Sequence, residues 1–218
     1  MPLIVAVDRV VDPEVLRGLC EGVNGIDGVK VGLPAVLRGG LEWASRIAGA
    51  CSGLRVLDYK LADVEHVMRL TVEPFLESYN VFIAHSFVGA HGALLGLKEL
   101  LDDRGAKLAL VASMSHEGSM EVYDKASPWV EEVIRRVDPW GLIAPATRPS
   151  LVRRLRGRFP GKAILSPGVG AQGARPGSAL CAGADYEIVG RAIMDSRDPR
   201  ASAESIVEAQ EVALRACR

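Results

Sequence analysis

Eight short β-branched or apolar runs recur along the chain, each followed by a stretch of helical character. This alternation constrains the fold more than any other feature. The runs cover residues 3–8, 28–31, 54–60, 80–85, 107–113, 140–144, 163–166 and 185–189. Between them, residues 63–78 place Val64, Val67, Met68, Val72, Phe75 and Leu76 on one helical stripe. A last helix, about 201–217, repeats the pattern with Ile206, Val207, Ala213 and Leu214. Stretches 12–23, 89–103 and 119–136 also read as helices, whereas those near 34–50, 149–157 and 175–183 are shorter or broken by Gly and Pro. Eight strand–helix units predict one α/β domain over residues 1–218, a (β/α)8 barrel of the TIM type. The rival is an open doubly wound sheet, which alternates in the same way. The count of eight, with no Gly-rich turn after the first strand, favours the barrel.

Composition narrows the function classes. With 49% hydrophobic residues and a net charge of −1 over 218 residues, the chain is neither disordered nor electrostatically suited to nucleic acid. No apolar run approaches the ~20 residues of a membrane span, and residues 1–10 lack the charged start and cleavage site of a signal peptide. A cytoplasmic, membrane-free protein is expected. Cys20, Cys51, Cys181 and Cys217 are scattered without a C-x-x-C pair, so reduced, mostly buried thiols are expected and no metal site is suggested. Asn and Gln number two each, a weak sign of heat adaptation. Only six of the 26 basic residues are lysines, and two of the six fall at strand ends.

Those strand ends carry alternating charge. Asp8 closes the first strand, Lys30 lies near the end of the second, and Asp58 and Lys60 close the third. Side chains two apart on a strand share a face, so Asp58 and Lys60 are expected to point together. In a barrel all four would converge on one mouth, where opposite charges offset the cost of burial. Each alone reads as readily as a rim ion pair; the four together favour an active site. Asp63 also sits where the next helix needs an N-cap.

A second cluster lies late in the chain. The run Ser166-Pro167-Gly168-Val169-Gly170-Ala171-Gln172-Gly173 follows the seventh strand, and Gly190-Arg191 follows the eighth. Loops at these two positions are the usual barrel site for phosphate: backbone N–H groups approach its oxygens and a guanidinium supplies charge-assisted bonds. His85-Ser86 is divided between lining the mouth and packing in the core. His66 reads as half exposed, and the Arg153–Arg158 stretch as a solvated helix face. Ser113-Met114-Ser115-His116 reads as a polar lid or a plain loop.

Asp58-Tyr59-Lys60-Leu61-Ala62-Asp63, a D-x-K-x-x-D pattern, resembles the signature of the orotidine 5′-phosphate decarboxylase family, particularly its short archaeal-like form. The likeness extends to Val7-Asp8, the Lys30 strand, Met114-Ser115-His116, residues 144–149, the Gln172 loop and Val189-Gly190-Arg191. It implies a cofactor-free lyase that converts orotidine 5′-phosphate to UMP and CO2 in pyrimidine biosynthesis. By this resemblance Lys60 protonates carbon 6, Asp58 sits against the departing carboxylate and Lys30 orients Asp58 and the ribose. Asp63 enters the neighbouring subunit's site, so the working unit is a homodimer. Asp8 binds ribose, Ser115 the pyrimidine edge, and Gln172 with Arg191, beside Pro167 and Gly190, the phosphate. One stretch departs: the family continues D-I-P-x-T, whereas here Val67 stands where the threonine hydroxyl would hold the partner's ribose. Sugar-phosphate enzymes of the same superfamily share D-x-K-x-x-D. The alternatives are therefore a Mg2+-dependent keto-sugar-phosphate decarboxylase or hexulose-phosphate synthase, or a non-catalytic nucleotide-binding barrel.

Overall fold

Strand β1 (Leu3–Val7) is buried along its whole length, as a parallel strand must be when barrel interior and helices cover both faces. In the computed structural model, which describes residues 2–217, it pairs with β2 (Ile26–Gly32) on one side and β8 (Tyr186–Val189) on the other. Between them β3 (Leu54–Leu61), β4 (Val81–His85), β5 (Lys107–Val111), β6 (Gly141–Ile143) and β7 (Ala163–Pro167) follow in chain order. Every neighbouring pair is parallel, and the ring is closed. The expected barrel is found, and the open-sheet rival is not.

The covering helices follow local signals. Helix α1 (Pro13–Gly22) starts where Asp12 accepts the Glu14 N–H at 2.9 Å and proline takes the first turn; it buries Leu16 and Leu19. The terminal helix α9 (Pro199–Ala216) repeats this design, with Asp198 accepting the Ala201 N–H at 3.0 Å and Ile206 and Val207 packed inward. Burial of each such aliphatic side chain contributes about 1.5–3 kcal/mol. Helix α2 (Leu33–Ala48) is broken by glycine as expected: Gly40, at φ 78°, is non-helical and divides it into two helical pieces across a kink. Helix α3 (Glu65–Val72) is shorter than the expected 63–78: Pro74 tightens its end into a single 3-10 turn, Glu73–Phe75. Ahead of α4 (Leu95–Asp103) and α5 (Ser127–Val137), residues 90–94 and 120–124 form wide irregular turns, so only the second parts of 89–103 and 119–136 are regular helix. Helix α6 is Pro149–Arg158, α7 is Ser178–Cys181 and α8 is Arg191–Met194. None of the helices among the described residues is long and apolar enough to cross a membrane.

Two expectations are corrected. The cysteines are not free: Cys20 pairs with Cys51 and Cys181 with Cys217, at Cα separations of 5.5 and 5.9 Å. These are ordinary bridging distances, created by the barrel between residues 31 and 36 apart in sequence. The first bridge ties α1 to the turn after α2; the second ties α7 to the residue after α9. Asp63 is not the N-cap of α3, since that position falls on Val64; its carboxylate instead accepts the adjacent Val64 N–H at 2.7 Å.

Candidate active site

The C-terminal strand ends enclose a cavity of about 480 Å³. Its floor is apolar and comes from inward-facing strand residues: Ala6, Ile83, Val111, Ile143 and Ile188. Above that floor the first three strands place four charged groups in line. Lys30 Nζ lies 2.9 Å from Asp58 Oδ2 and 3.4 Å from Asp8 Oδ1. Lys60 Nζ donates to both Asp58 oxygens at 2.9 Å. The chain is graded in exposure: Lys30 and Asp58 side chains are each 8% exposed, Lys60 36% and Asp8 62%. Gly32 makes room for it, because any side chain there would run into the Asp8 carboxylate.

Asp58 and Lys60 do converge, but not by simple alternation. Leu57 pairs with Phe82 and Leu61 with Ala84, so Asp58, Tyr59 and Lys60 stand opposite Ile83 alone. Strand β3 therefore carries two extra residues, and Lys60 takes up the slack at φ 45°, a left-handed conformation rare for a side chain of its size. Such a conformation costs about 1–3 kcal/mol and persists only where its surroundings hold it. Here the two bonds to Asp58 hold the side chain, and bulges at barrel rims commonly re-aim a side chain in this way.

Electrostatics fixes the protonation of the central pair. Burial pushes the Asp58 carboxyl up, but attraction to Lys30 and Lys60 outweighs it and holds the group below the usual carboxylate range. Burial likewise pushes Lys30 down, and Asp58 with Asp8 more than restores it, above the usual ammonium range. Both groups are charged at neutral pH.

The opposite wall comes from the last two strands. Pro167, Gly168, Val169, Ala171 and Gln172 line it after β7, and Gly190 with Arg191 line it after β8. Gly168 and Gly170, at φ 112° and 76°, let this loop turn its backbone in a way side-chain-bearing residues resist. Gln172 and Arg191 are exposed. Ser115 and Met114 reach the cavity from the loop after β5.

Of the residues singled out from sequence, Asp8, Lys30, Asp58, Lys60, Ser115, Pro167, Gln172, Gly190 and Arg191 all line this one cavity; Asp63 does not, and is exposed beside it. His85 and Ser86 are not in the lining: His85 Nδ1 is paired with the Tyr123 hydroxyl, and buried Ser86 donates to the Val111 carbonyl at 2.7 Å. His66 is exposed and lies outside the lining. Arg156 departs from its solvated neighbours, bonding the carbonyls of Gly183 and Lys162 at 2.8 Å each. Sequence reading missed Tyr59, Leu33, Pro34 and the apolar floor. The floor was within reach, since its members lie at inward-facing positions near the strand ends; Leu33 and Pro34 carry no comparable signal.

Known proteins resemble this chain in sequence and in fold. A family model described as orotidine 5′-phosphate decarboxylase / HUMPS matches residues 1–206. An orotidine 5′-phosphate decarboxylase of Aeropyrum pernix is 50% identical over 205 residues, covering 93% of this chain and 82% of its own. One from Sulfurisphaera tokodaii is 41% identical over 99% of this chain and 98% of its own. Among solved structures, the orotidine 5′-monophosphate decarboxylase of Sulfolobus solfataricus superposes with a TM-score of 0.91 at 37% identity, covering 98% of this chain and 99% of that one. The Methanocaldococcus jannaschii enzyme complexed with the inhibitor BMP gives 0.86 at 28% identity, over 96% and 98%. On a match that runs through all eight strands and both charged walls, the chain belongs to the orotidine 5′-phosphate decarboxylase / HUMPS family.

Proposed function

We propose that this protein is an orotidine 5′-phosphate decarboxylase, releasing CO2 from orotidine 5′-phosphate to leave UMP in pyrimidine biosynthesis. The observation that carries the reading is the Lys60 ammonium, bonded to both oxygens of Asp58 over an apolar floor, with Arg191 and Gln172 on the far wall. In the reaction the bond between carbon 6 and the carboxylate breaks, CO2 departs, and the electron pair stays on carbon 6. Lys60 Nζ delivers a proton to that carbon and is reprotonated from water once product leaves. The ammonium also offsets the negative charge that develops at carbon 6 only as the bond breaks, which is where stabilisation accelerates a reaction.

Asp58 has two tasks. It fixes the Lys60 amine, and its charge beside the substrate carboxylate favours departure of neutral CO2. Lys30 keeps Asp58 ionised and, with Asp8, meets the ribose hydroxyls. Ser115 bonds the pyrimidine edge. Backbone N–H groups of the Gln172 loop, with Gln172, Arg191 and the Pro167 and Gly190 turns, grip the phosphate. Enzymatic accelerations reach ~10¹⁷-fold, about 23 kcal/mol, more than one lysine supplies. Remote phosphate binding makes up part of the difference by drawing loops over the ring and excluding water.

The working unit in this reading is a homodimer. Asp63 is exposed beside its own cavity, and the reading sends it into the partner's, with Val64 and Val67, both exposed, forming the apolar contact around it. The reading places the protein in the cytoplasm; two disulfides there are compatible with the scarcity of Asn and Gln, since intracellular proteins of hyperthermophiles are often disulfide-rich. The test is the loss of orotidylate ultraviolet absorbance on mixing with purified protein, with and without chelator. Turnover unaffected by EDTA is expected. Turnover of a keto-sugar phosphate that EDTA abolishes and Mg2+ restores would instead assign the superfamily's sugar chemistry.

A further inference from the structure

The loop that leaves β5 carries Met114 and Ser115 to the cavity wall and then passes through the irregular turn Met120–Asp124. Two consecutive side chains of that turn bind the neighbouring strand ends on either side. Tyr123 pairs through its hydroxyl with His85 Nδ1 at the end of β4. Asp124 receives a bidentate pair of bonds from Arg148, in the loop between β6 and α6, at 2.9 and 2.6 Å. The same guanidinium donates to Ser113 Oγ at 3.2 Å. Ser113 and Ser119 hydroxyls lie 3.1 Å apart, and Ser119 Oγ accepts the Met114 N–H at 3.0 Å. The bonded path from Arg148 therefore ends at the backbone of the residue that precedes Ser115.

We propose that Tyr123 and Asp124, with Arg148 and His85, are positioning residues that hold the β5 loop in place so that Ser115 meets the ring of a bound nucleotide. This rests on the nucleotide reading of the cavity and adds to it how the ring contact is set. None of the four touches the cavity directly, and each acts through the loop. A bidentate carboxylate–guanidinium pair fixes orientation as well as distance, and Arg148 and Asp124 are only about one-third exposed, so water screens it incompletely. A small displacement of a positioned group is enough to lower ligand affinity strongly. Because the loop contributes to the ring side of the cavity and not to the Gln172–Arg191 wall, the clamp governs ring recognition and leaves phosphate binding alone.

Calorimetric titration separates these effects. UMP and ribose 5-phosphate are titrated into the wild-type protein, Asp124→Asn, Arg148→Lys, Ser115→Ala and the double variant Asp124→Asn/Ser115→Ala. Loss of one charge-assisted pair should weaken UMP about tenfold in Asp124→Asn while ribose 5-phosphate binds as before. Arg148→Lys, which keeps the charge and loses the fork, should fall between wild type and Asp124→Asn and carries the same test should that variant fail to fold. In the Ser115→Ala background Asp124→Asn should cost less than about twofold more, because coupled residues do not add. Equal losses for both ligands, or additive losses in the double variant, would overturn the clamp while leaving the nucleotide reading intact. Ribose 5-phosphate binding by a wild-type protein that ignores UMP would remove that reading and the clamp with it.

Discussion

The two walls of the cavity are built on opposite principles. The β1–β3 wall is made of side chains: two lysines and two aspartates locked to one another, with the central pair buried. The β7–β8 wall is largely backbone, a glycine-rich loop with Gln172 and Arg191 exposed beside it. The first is set before any ligand arrives, and its cost of burial is offset internally. The second holds its turn by bonds within the loop, from the Gly170 N–H to the Ala174 carbonyl at 2.9 Å and from the Gly173 N–H to the Gly170 carbonyl at 2.8 Å, and leaves Gln172 and Arg191 open to solvent; in the proposed reading these gain their partner from the ligand. Preorganised charge suits the reacting carbon, where reorganisation would raise the barrier. An open grip suits a remote anion, whose binding energy is worth most when it also orders the loop.

The sharpest way to break this contrast is Lys60→Ala. Turnover should fall by ~10⁴-fold or more, at the upper end for a positioned acid, while UMP affinity measured by calorimetry changes little. Retained turnover would show that the proton donor lies elsewhere. Next is Asp58→Ala, which leaves Lys30 with only Asp8 and should destabilise the fold by about 3–5 kcal/mol, the range for breaking a buried pair. The pH dependence follows from the sign of the shift. Asp58 is held below its ordinary range, so its contribution to stability is present at neutral pH and is lost as pH falls below ~4 through its folded pKa. Lys30 is held above its range, so its contribution is present up to pH ~10 and is lost as pH rises further. Thermal melts of Asp58→Asn and wild type should therefore converge on the acid side.

Each half also carries one disulfide, and reduction should compare them. Loops of 31 and 36 residues correspond to about 3–4 kcal/mol per bridge in the chain-entropy model. At about 2–4 °C per kcal/mol for a chain of this size, dithiothreitol should lower the melting temperature by ten degrees or more. An unchanged melting temperature would mean the thiols are not paired in solution. The smallest effect is expected at Val67→Thr. On the homodimer reading, one hydroxyl added at this position should tighten UMP by about 0.5–1.5 kcal/mol, read in the same titration. No gain would show that Val67 does not face the partner's ligand.

Much of this was legible in the chain. The eight strands stand out because each is a run of β-branched or apolar residues buried on both faces, and the tetrad stands out because Asp and Lys are out of place in such runs. The Gln172 loop shows in its glycines. What escaped depends on distance through space. Nothing local to Cys20 points to Cys51, and nothing near Asp124 points to Arg148. The bulge in β3 was hidden because Asp58-Tyr59-Lys60 satisfies plain alternation on paper; only pairing with β4 exposes the two extra residues and the left-handed Lys60. Asp63 was misplaced as a cap because an aspartate one residue early looks the same in sequence as one at the N-cap itself.

The division of labour between the walls is tested most directly by removing the phosphate from the substrate. We would measure kcat/KM for orotidine 5′-phosphate and for orotidine with wild type, Arg191→Ala and Lys60→Ala. Loss of the guanidinium should cost about 1.5–3 kcal/mol on the phosphorylated substrate and nothing on orotidine, while Lys60→Ala should abolish turnover of both. Equal losses on both substrates in Arg191→Ala would contradict the account.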